Sequence, residues 1–163
     1  MNEVPDTSDD AIVLPPLGTV RAVIAALEDA EIVAAVGGSG LLAAYGLVDR
    51  VRDWDVTSDG DPEAVQNALT RAGVSFIQDT SSDDRFATKA WIHVDGGDHE
   101  VDLLLGFAIR ADGEAIHLPT RVSRQWLGLP IADPIVWAKA YRLLGRPDRA
   151  RLLDGLLRGD ASR

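Results

Sequence analysis

The spacing of apolar residues changes along this chain, and this change limits the folds that it can form. Between residues 19 and 30, apolar side chains recur at i, i+3, i+4 and i+7, which predicts a helix with one buried face. The middle of the chain carries short apolar or alternating runs bounded by glycine and proline, which is typical of strands. We expect these strands at residues 32–36, 54–57, 74–77, 89–94, 100–108 and 115–118.

Helical spacing returns towards the C-terminus, where two segments each begin at or near a proline. We expect helices after the first one at residues 41–45, 61–72, 134–144 and 147–157. The sequence therefore predicts an α+β fold, with a mixed β-sheet flanked by helices and a helical tail from about residue 133.

The length of 163 residues is enough for one domain with one hydrophobic core. Residues 1–16 are acidic and proline-punctuated, with no apolar periodicity. We therefore expect a flexible acidic arm at residues 1–16, followed by a single domain over residues 17–163.

Composition excludes several classes of function. The chain has no cysteine, which rules out disulfides, zinc-thiolate sites and thiol nucleophiles. A net charge of -10 opposes diffuse binding to nucleic acid, because phosphate affinity comes mostly from Lys and Arg. The apolar runs are shorter than the roughly 18 to 20 residues of a membrane helix, and the first ten residues carry four acids where a signal peptide would be positive. We expect a cytoplasmic protein that uses neither a membrane nor sequence-specific DNA.

Two Asp-x-Asp pairs occur, and chance alone gives about two in a chain with 20 Asp residues. Asp59 and Asp61 lie in a predicted turn, where we expect a helix cap. Asp53 and Asp55 lie on a predicted strand, where they share one face with Cα atoms about 6.5 to 7 Å apart. Their carboxylates can therefore converge on a cation such as Mg²⁺.

Asp102 is a third acid, in an otherwise apolar predicted strand where an unpaired charge is costly to bury. Two-metal sites for phosphoryl transfer generally need such a third carboxylate. A plainer interpretation stays open, in which Asp53 and Asp55 decorate a solvated strand edge and Asp102 pairs with an arginine such as Arg52.

The run Gly-Gly-Ser-Gly at residues 37–40 lies between a predicted strand and a predicted helix. Backbone N–H groups at such a turn, together with the Ser39 hydroxyl, can face an anion, although many glycine turns only permit tight packing. A glycine turn, then a strand with two acids, then an isolated strand acid is the set of parts needed to bind a triphosphate and its metal.

This order resembles the signature of the DNA polymerase β-like nucleotidyltransferase superfamily. The signature is an apolar residue, Gly and Gly or Ser, then Asp-x-Asp about a dozen residues later and a further Asp on a later strand. The resemblance spans about residues 17–157 and is nearest to small bacterial nucleotidyltransferases of the abortive-infection type and to uncharacterised relatives. It implies a nucleotidyltransferase-like fold and a metal-dependent transfer of a nucleoside monophosphate from an NTP to a hydroxyl acceptor, with release of pyrophosphate.

The resemblance also implies roles for the three acids. Asp53, Asp55 and Asp102 would be the catalytic residues and the metal ligands, with two Mg²⁺ ions expected and Mn²⁺ as an alternative. Asp102 would also help the acceptor hydroxyl to lose its proton.

The same resemblance assigns Gly37, Gly38 and Ser39 to the nucleotide phosphates, together with Lys139 on a late helix. A lysine in that helix can equally be a solvated residue. The acceptor stays open as a small molecule, an RNA end or a protein. An alternative function is a catalytically inactive nucleotidyltransferase-fold binding module or a toxin-antitoxin component, because the chain after the predicted sheet is short.

The histidines and the C-terminal arginines are open to simpler explanations. His93, His99 and His117 lack the spacing of a metal cluster, and we expect His93 and His99 to be surface residues beside a hairpin turn. The arginines of the tail either form a solvated face paired with nearby aspartates or a docking patch for an acidic acceptor such as RNA. These arginines are Arg142, Arg146, Arg149, Arg151 and Arg158.

Overall fold

The computed structural model describes residues 12–81 and 83–162, which form five helices and nine strands. The helices are α1 (Gly18–Asp29), α2 (Gly38–Ala44), α3 (Pro62–Arg71), α4 (Pro134–Leu143) and α5 (Pro147–Ser162). The strands are β1 (Ala34–Gly37), β2 (Trp54–Ser58), β3 (Ile77–Asp79), β4 (Ala90–Asp95), β5 (Glu100–Leu105), β6 (Ala108–Ala111), β7 (Glu114–His117), β8 (Val122–Trp126) and β9 (Leu129–Ala132).

Seven of these strands form one mixed sheet, in the order β3-β4-β5-β2-β1-β9-β8. Two neighbouring pairs are parallel, β2 with β5 and β1 with β9, and the other pairs are antiparallel. Strands β6 and β7 form a separate two-stranded sheet. The predicted α+β class, with a mixed sheet and a helical tail, is confirmed.

The sequence explains where the helices start. The Asp61 side chain accepts a hydrogen bond of 3.1 Å from the backbone N–H of Ala64, and Pro62 follows as the first residue of α3. Asp133 caps α4 in the same way through Ile135 at 2.8 Å, again with a proline at the first helical position. An oxygen acceptor followed by a proline satisfies a free N–H group and preorganises the first turn.

The predicted apolar face of α1 is buried, and α1 packs against α3 and β1. The centre of the sheet is also buried, and the side chains of Trp54 on β2 and Leu103 on β5 have no exposed surface. Burial of these apolar surfaces stabilises the sheet and fixes the register of β2 against β5, because a slip of one residue would move the buried side chains of the slipped strand to the opposite face.

Two predicted strands need correction, and one hairpin was not predicted. The strand expected at residues 74–77 begins only at Ile77. The strand expected at residues 100–108 breaks at Gly106, whose φ of 63° lies in the left-handed region that favours glycine, and β6 then joins the smaller sheet. The hairpin of β8 and β9 was not predicted, because β8 is mostly exposed and β9 contains Pro130, which lacks an N–H group for the ladder.

The predicted N-terminal arm falls partly outside the described residues, which begin at Ile12. Val13 forms a parallel β-bridge with Arg50, and its backbone exchanges hydrogen bonds of 2.8 and 2.9 Å with Asp49 and Val51. The arm at residues 1–16 and the domain at residues 17–163 stay predictions. None of the helices in the described part of the chain has the length and apolarity to cross a membrane.

Candidate active site

The parallel pairing of β2 with β5 brings two of the predicted acids together. Asp55 and Asp102 are direct partners in this register, so their side chains project from the same face of the sheet. Asp53 lies two residues before Asp55. Its side chain accepts a hydrogen bond of 2.8 Å from the backbone N–H of Glu100, the first residue of β5. Asp55 and Asp102, 47 residues apart in sequence, therefore lie on neighbouring strands, whereas Asp53, predicted on the strand, lies just before β2.

These three acids line one cavity of about 530 Å³. The cavity also contains the Ser39 residue of the glycine turn and three cationic residues. Its lining residues are Ser39, Val48, Asp49, Arg50, Arg52, Asp53, Asp55, Asp102 and Arg149. Carboxylates beside a hydroxyl and arginines form a surface that can hold a cation and an anion at the same time.

The glycine turn is in contact with the middle acid. Gly37 ends β1 directly opposite Asp55 in the antiparallel register. Gly38 has a φ of 58°, and a Cβ at this position would overlap the Asp55 carboxylate. Only glycine avoids both the backbone strain and the overlap. A Cβ at Gly37 would likewise overlap the indole of Trp137, so each glycine is explained by a close approach.

The surroundings of Asp55 change its acidity. Burial raises its pKa to about 7, the charges of Asp102 and Asp53 add to this effect, and Arg149 opposes it. No hydrogen-bond donor reaches the Asp55 side chain from the residues that the structure describes. A half-buried carboxylate that lies beside two others and lacks a donor is stabilised by a proton or by a cation. The donor set therefore fits a hard divalent ion such as Mg²⁺, which prefers carboxylate oxygens.

His93 joins the third acid to the edge of the sheet. It lies on β4 opposite Asp102, and its Nδ1 is 2.6 Å from Asp102 Oδ1. Its Nε2 is 2.9 Å from Asp79 Oδ2 on β3. Burial alone would lower the pKa of His93, but the hydrogen bonds to Asp79 and Asp102 outweigh it and raise the pKa. The alternative pairing of Asp102 with an arginine such as Arg52 is wrong, because the partner is His93.

The prediction of two surface histidines needs correction. His99 is buried under the hairpin turn, where its Nδ1 lies 2.8 Å from Asp98 Oδ1 and a Cβ on Gly96 would meet its ring. His93 is only partly exposed. Its ligand atom lies with those of Glu100 and Asp102 within 4.8 Å of one another, an arrangement that local sequence spacing does not reveal.

The C-terminal arginines divide into two groups. Arg142 pairs with Asp154 at 3.1 Å and Arg146 with Asp148 at 3.6 Å, as expected for a solvated face. Arg149 instead lines the carboxylate cavity, where its guanidinium lies over the Tyr141 ring at 5.8 Å from the centroid. Sequence reasoning missed this placement, because Arg149 has no motif of its own.

Lys139 is exposed on α4 and is not among the residues that line the carboxylate cavity. Its predicted contact with a phosphate stays a prediction. The cationic residues that line this cavity are Arg50, Arg52 and Arg149.

Similarity to solved structures supports the topology. No protein-family model matches the chain, and no curated protein matches it significantly. A putative nucleotidyltransferase from Thermotoga maritima superposes with a TM-score of 0.62 at 21% identity, covering 88% of this chain and 92% of that one. The solution structure of the antibiotic-resistance factor ANT(2″)-Ia gives a TM-score of 0.56 at 15% identity over 86% of this chain and 83% of that one.

The chain has the nucleotidyltransferase fold. A crystal structure of ANT(2″)-Ia in complex with adenylyl-2″-tobramycin has a TM-score of 0.54 at 15% identity, covering 86% of this chain and 88% of that one. These identities are too low to carry more than the fold. Within this nucleotidyltransferase fold, Ser39 of the turn after β1, Asp55 on β2 and Asp102 on β5 line one cavity, whereas Gly37 and Gly38 are not among its lining residues.

Proposed function

We propose that this protein is a metal-dependent nucleotidyltransferase, which moves a nucleoside monophosphate from an NTP to a hydroxyl of an acceptor. The observation that carries the proposal is the shared cavity of three carboxylates, Ser39 and Arg149. The similarity to solved nucleotidyltransferases supports the same activity at the level of the fold.

Asp53, Asp55 and Asp102 would hold the divalent ions. Burial and the charges of Asp102 and Asp53 raise the pKa of Asp55, and a bound ion would offset this cost of its negative charge. When bound, the ions neutralise charge on the phosphates and on the attacking and leaving oxygens. We expect two Mg²⁺ ions, and Mn²⁺ should replace them.

The NTP would lie with its phosphates against the glycine turn. Gly37, Gly38 and Ser39 would present backbone N–H groups and the Ser39 hydroxyl to the phosphates, and the lack of a side chain at Gly38 lets the Asp55 carboxylate approach the turn. Arg149 lies in the same cavity and would donate to phosphate oxygens, with its guanidinium held over Tyr141. Lys139 would add a second cation if α4 presents it to the bound nucleotide.

In the reaction, the acceptor oxygen would form a bond to the α-phosphorus while the bond from that phosphorus to the bridging oxygen breaks. Pyrophosphate takes the bonding electron pair and leaves. Asp102 would take the proton of the acceptor hydroxyl, since one of its oxygens is already held by His93 and the other is free to accept. Most of the rate would come from positioning and charge neutralisation.

The acceptor has room beside the carboxylates. A second cavity of about 570 Å³ shares Asp53 with the first and reaches past Glu100 to the hairpin turn. ANT(2″)-Ia was solved with adenylyl-2″-tobramycin, which supports an acceptor bearing a hydroxyl. The candidate acceptors are a small molecule, an RNA end and a protein, and the transfer experiment below distinguishes them.

The direct test is transfer of labelled phosphate. The purified protein is incubated with Mg²⁺, an NTP labelled at either the α- or the γ-phosphate, and cell extract separated into small molecules, RNA and protein. We expect label from the α-phosphate only to appear in one of these fractions. Asp53→Asn and Asp55→Asn should lose this transfer.

A matched control is Asp112→Asn, the same chemical change in the exposed turn between β6 and β7. This control should transfer normally. Label from the γ-phosphate would contradict the proposal in favour of phosphoryl transfer. Mg²⁺-dependent NTP binding without transfer to any fraction would favour the inactive binding module.

A further inference from the structure

A chain of polar side chains runs from the edge of the sheet to the third acid. The Ser81 backbone N–H and hydroxyl donate to Asp79 Oδ1 at 2.8 and 2.6 Å. The other oxygen of Asp79 faces His93 Nε2 at 2.9 Å, and His93 Nδ1 faces Asp102 Oδ1 at 2.6 Å. Both nitrogens of the His93 ring are therefore engaged, and each is bound to a carboxylate on a different strand.

These contacts fix an otherwise loose group. The terminal torsion of an Asp side chain has a broad, roughly two-fold preference, so a carboxylate in open space samples many orientations. The hydrogen bond from His93 assigns Oδ1 of Asp102 to the ring and leaves Oδ2 for the cavity that Asp102 lines. The imidazole itself cannot rotate freely, because Asp79 holds its opposite nitrogen.

A hydrogen bond also fixes the carboxylate of Asp53. Asp53 Oδ1 accepts from the backbone N–H of Glu100, which likewise leaves one oxygen without a donor among the described residues. A backbone donor at Asp53 is fixed by the strand, whereas the donor to Asp102 is a side chain that needs its own support. Asp79 and Ser81 supply that support.

We propose that His93 is a positioning residue for Asp102, with Asp79 holding the ring in place. This inference rests on the proposed function, because it assumes that Asp102 helps to bind the divalent ions. Hydrogen-bond partners of metal-binding carboxylates typically change metal affinity by about 10- to 100-fold when they are removed.

If His93 acted only in folding, its substitution would lower the thermal stability and leave the metal affinity unchanged. The His93 and Asp79 side chains are each more than a quarter exposed, at 27% and 29%. Polar contacts at such exposure contribute little to the free energy of unfolding. Substitution of His93 should therefore change metal affinity far more than thermal stability.

The test compares two substitutions that keep different halves of the ring. The amide nitrogen of Asn can take the place of Nδ1, so His93→Asn retains the donor to Asp102. The amide nitrogen of Gln can take the place of Nε2, so His93→Gln retains the contact to Asp79 and loses the one to Asp102. Mn²⁺ binding to the full chain is measured by electron paramagnetic resonance for both variants, with thermal unfolding as a check on folding.

We expect His93→Gln to weaken Mn²⁺ binding by about 10- to 100-fold, and His93→Asn, which keeps the donor to Asp102 but loses the support of Asp79, to weaken it clearly less. His117→Gln is the matched control, since His117 also contacts a carboxylate, Asp59 at 2.9 Å, but lies outside the carboxylate cavity. This control should bind Mn²⁺ like the wild type. Asp102→Asn should bind it at least as weakly as His93→Gln.

The remaining outcomes separate the two proposals. Equal losses in His93→Asn and His93→Gln would overturn the inference, because the imidazole would then act as a ligand itself. Wild-type affinity in His93→Gln, together with weak binding in Asp102→Asn, would overturn it as well and leave the proposed function intact. Wild-type affinity in Asp102→Asn would overturn the proposed function and the inference with it.

Discussion

The two Asp-x-Asp pairs of this chain have the same local sequence pattern and very different surroundings. In the second pair, Asp59 accepts from His117 Nε2 at 2.9 Å and from the Thr120 backbone N–H at 3.0 Å. Its partner Asp61 accepts from Ala64 as the cap of α3. In the first pair, Asp53 has one backbone donor, and among the described residues Asp55 has none.

This difference shows that the partners of a carboxylate, more than its motif, distinguish a structural acid from a candidate functional one. Donors from the backbone and from His117 satisfy the second pair, so its charges contribute to local structure. Asp55 instead lies beside Asp53 and Asp102, which with burial raises its pKa to about 7. Both acids of the second pair thus accept hydrogen bonds, whereas the Asp55 side chain of the first pair has no donor among the described residues.

The difference between the two pairs is tested most strongly by neutralising one acid from each pair. Asp55→Asn should weaken Mn²⁺ binding by about 100- to 1,000-fold, because it removes a proposed ligand. Asp61→Asn should bind Mn²⁺ like the wild type, because Asn retains the capping oxygen. Isothermal titration calorimetry of both variants measures the contrast, and equal affinities would remove the distinction between the pairs.

The close approach of Gly38 to Asp55 predicts the next largest effect. Gly38→Ala should destabilise the protein by about 3 kcal/mol, from left-handed backbone strain and overlap with the carboxylate together. Gly113→Ala is the matched control, since Gly113 has a φ of 79° but open space around its Cβ position. It should cost only about 1 to 2 kcal/mol. Chemical denaturation measures both values, and equal costs would mean that the contact with Asp55 carries no energy.

The raised pKa of Asp55 also predicts how stability depends on pH in the absence of metal. A carboxyl whose pKa is about 7 when folded and 3.8 when unfolded holds a proton only in the folded state between these values. The free energy of unfolding therefore falls as pH rises from about 4 to 7. Asp55→Asn has no carboxyl to ionise at this position, so its stability does not fall in this way. It should be more stable than the wild type by about 2 kcal/mol at pH 8 in EDTA.

Thermal unfolding at pH 5 and pH 8 checks this prediction. The advantage of Asp55→Asn should be smaller at pH 5 and should shrink at pH 8 when Mn²⁺ is added. A wild type that is at least as stable as the variant at pH 8 without metal would contradict it.

The capping acid should show the opposite sign. Asp61→Ala removes the acceptor for Ala64 and should lower stability by about 1 kcal/mol, or about 2 to 4 °C in the melting temperature. Asp61→Asn should restore most of this loss. If Asp61→Ala raised the melting temperature as Asp55→Asn does, the assignment of Asp61 to structure would be wrong.

The smallest effect is expected at Asp59, whose pairing with His117 is largely exposed. Asp59→Asn should change the free energy of unfolding by less than about 1 kcal/mol, since exposed ion pairs contribute little. Its Mn²⁺ affinity should equal that of the wild type. A calorimetric loss of affinity here would extend the metal site beyond the first pair.

Sequence pattern predicted those parts of the candidate site in which local spacing and side-chain chemistry point to the same residues. Alternation placed Asp53 and Asp55 on one strand face, and the glycine turn preceded them in the expected order. Asp102 was predicted from the cost of its charge in an apolar strand. The pairing of Asp55 with Asp102 depends on the register of two strands that are distant in the chain, which sequence pattern alone does not specify.

Other parts of the site depend on contacts that no local pattern encodes. His93 meets Asp102 only through the register of β4 with β5, and Arg149 reaches the cavity only through the packing of α5 on α4. In the fold, β9 escaped prediction because a proline in an internal strand contradicts the usual preference. Tertiary contacts decided all three cases.

The central claim is that Asp53, Asp55 and Asp102 together bind divalent ions next to the glycine turn. A crystal structure with Mn²⁺ and a non-hydrolysable NTP analogue, with anomalous scattering recorded at the manganese edge, tests it most directly. We predict anomalous peaks in contact with carboxylate oxygens of all three residues and triphosphate density beside Gly38 and Ser39. Nucleotide density without manganese at these carboxylates, or manganese bound only elsewhere, would contradict the account.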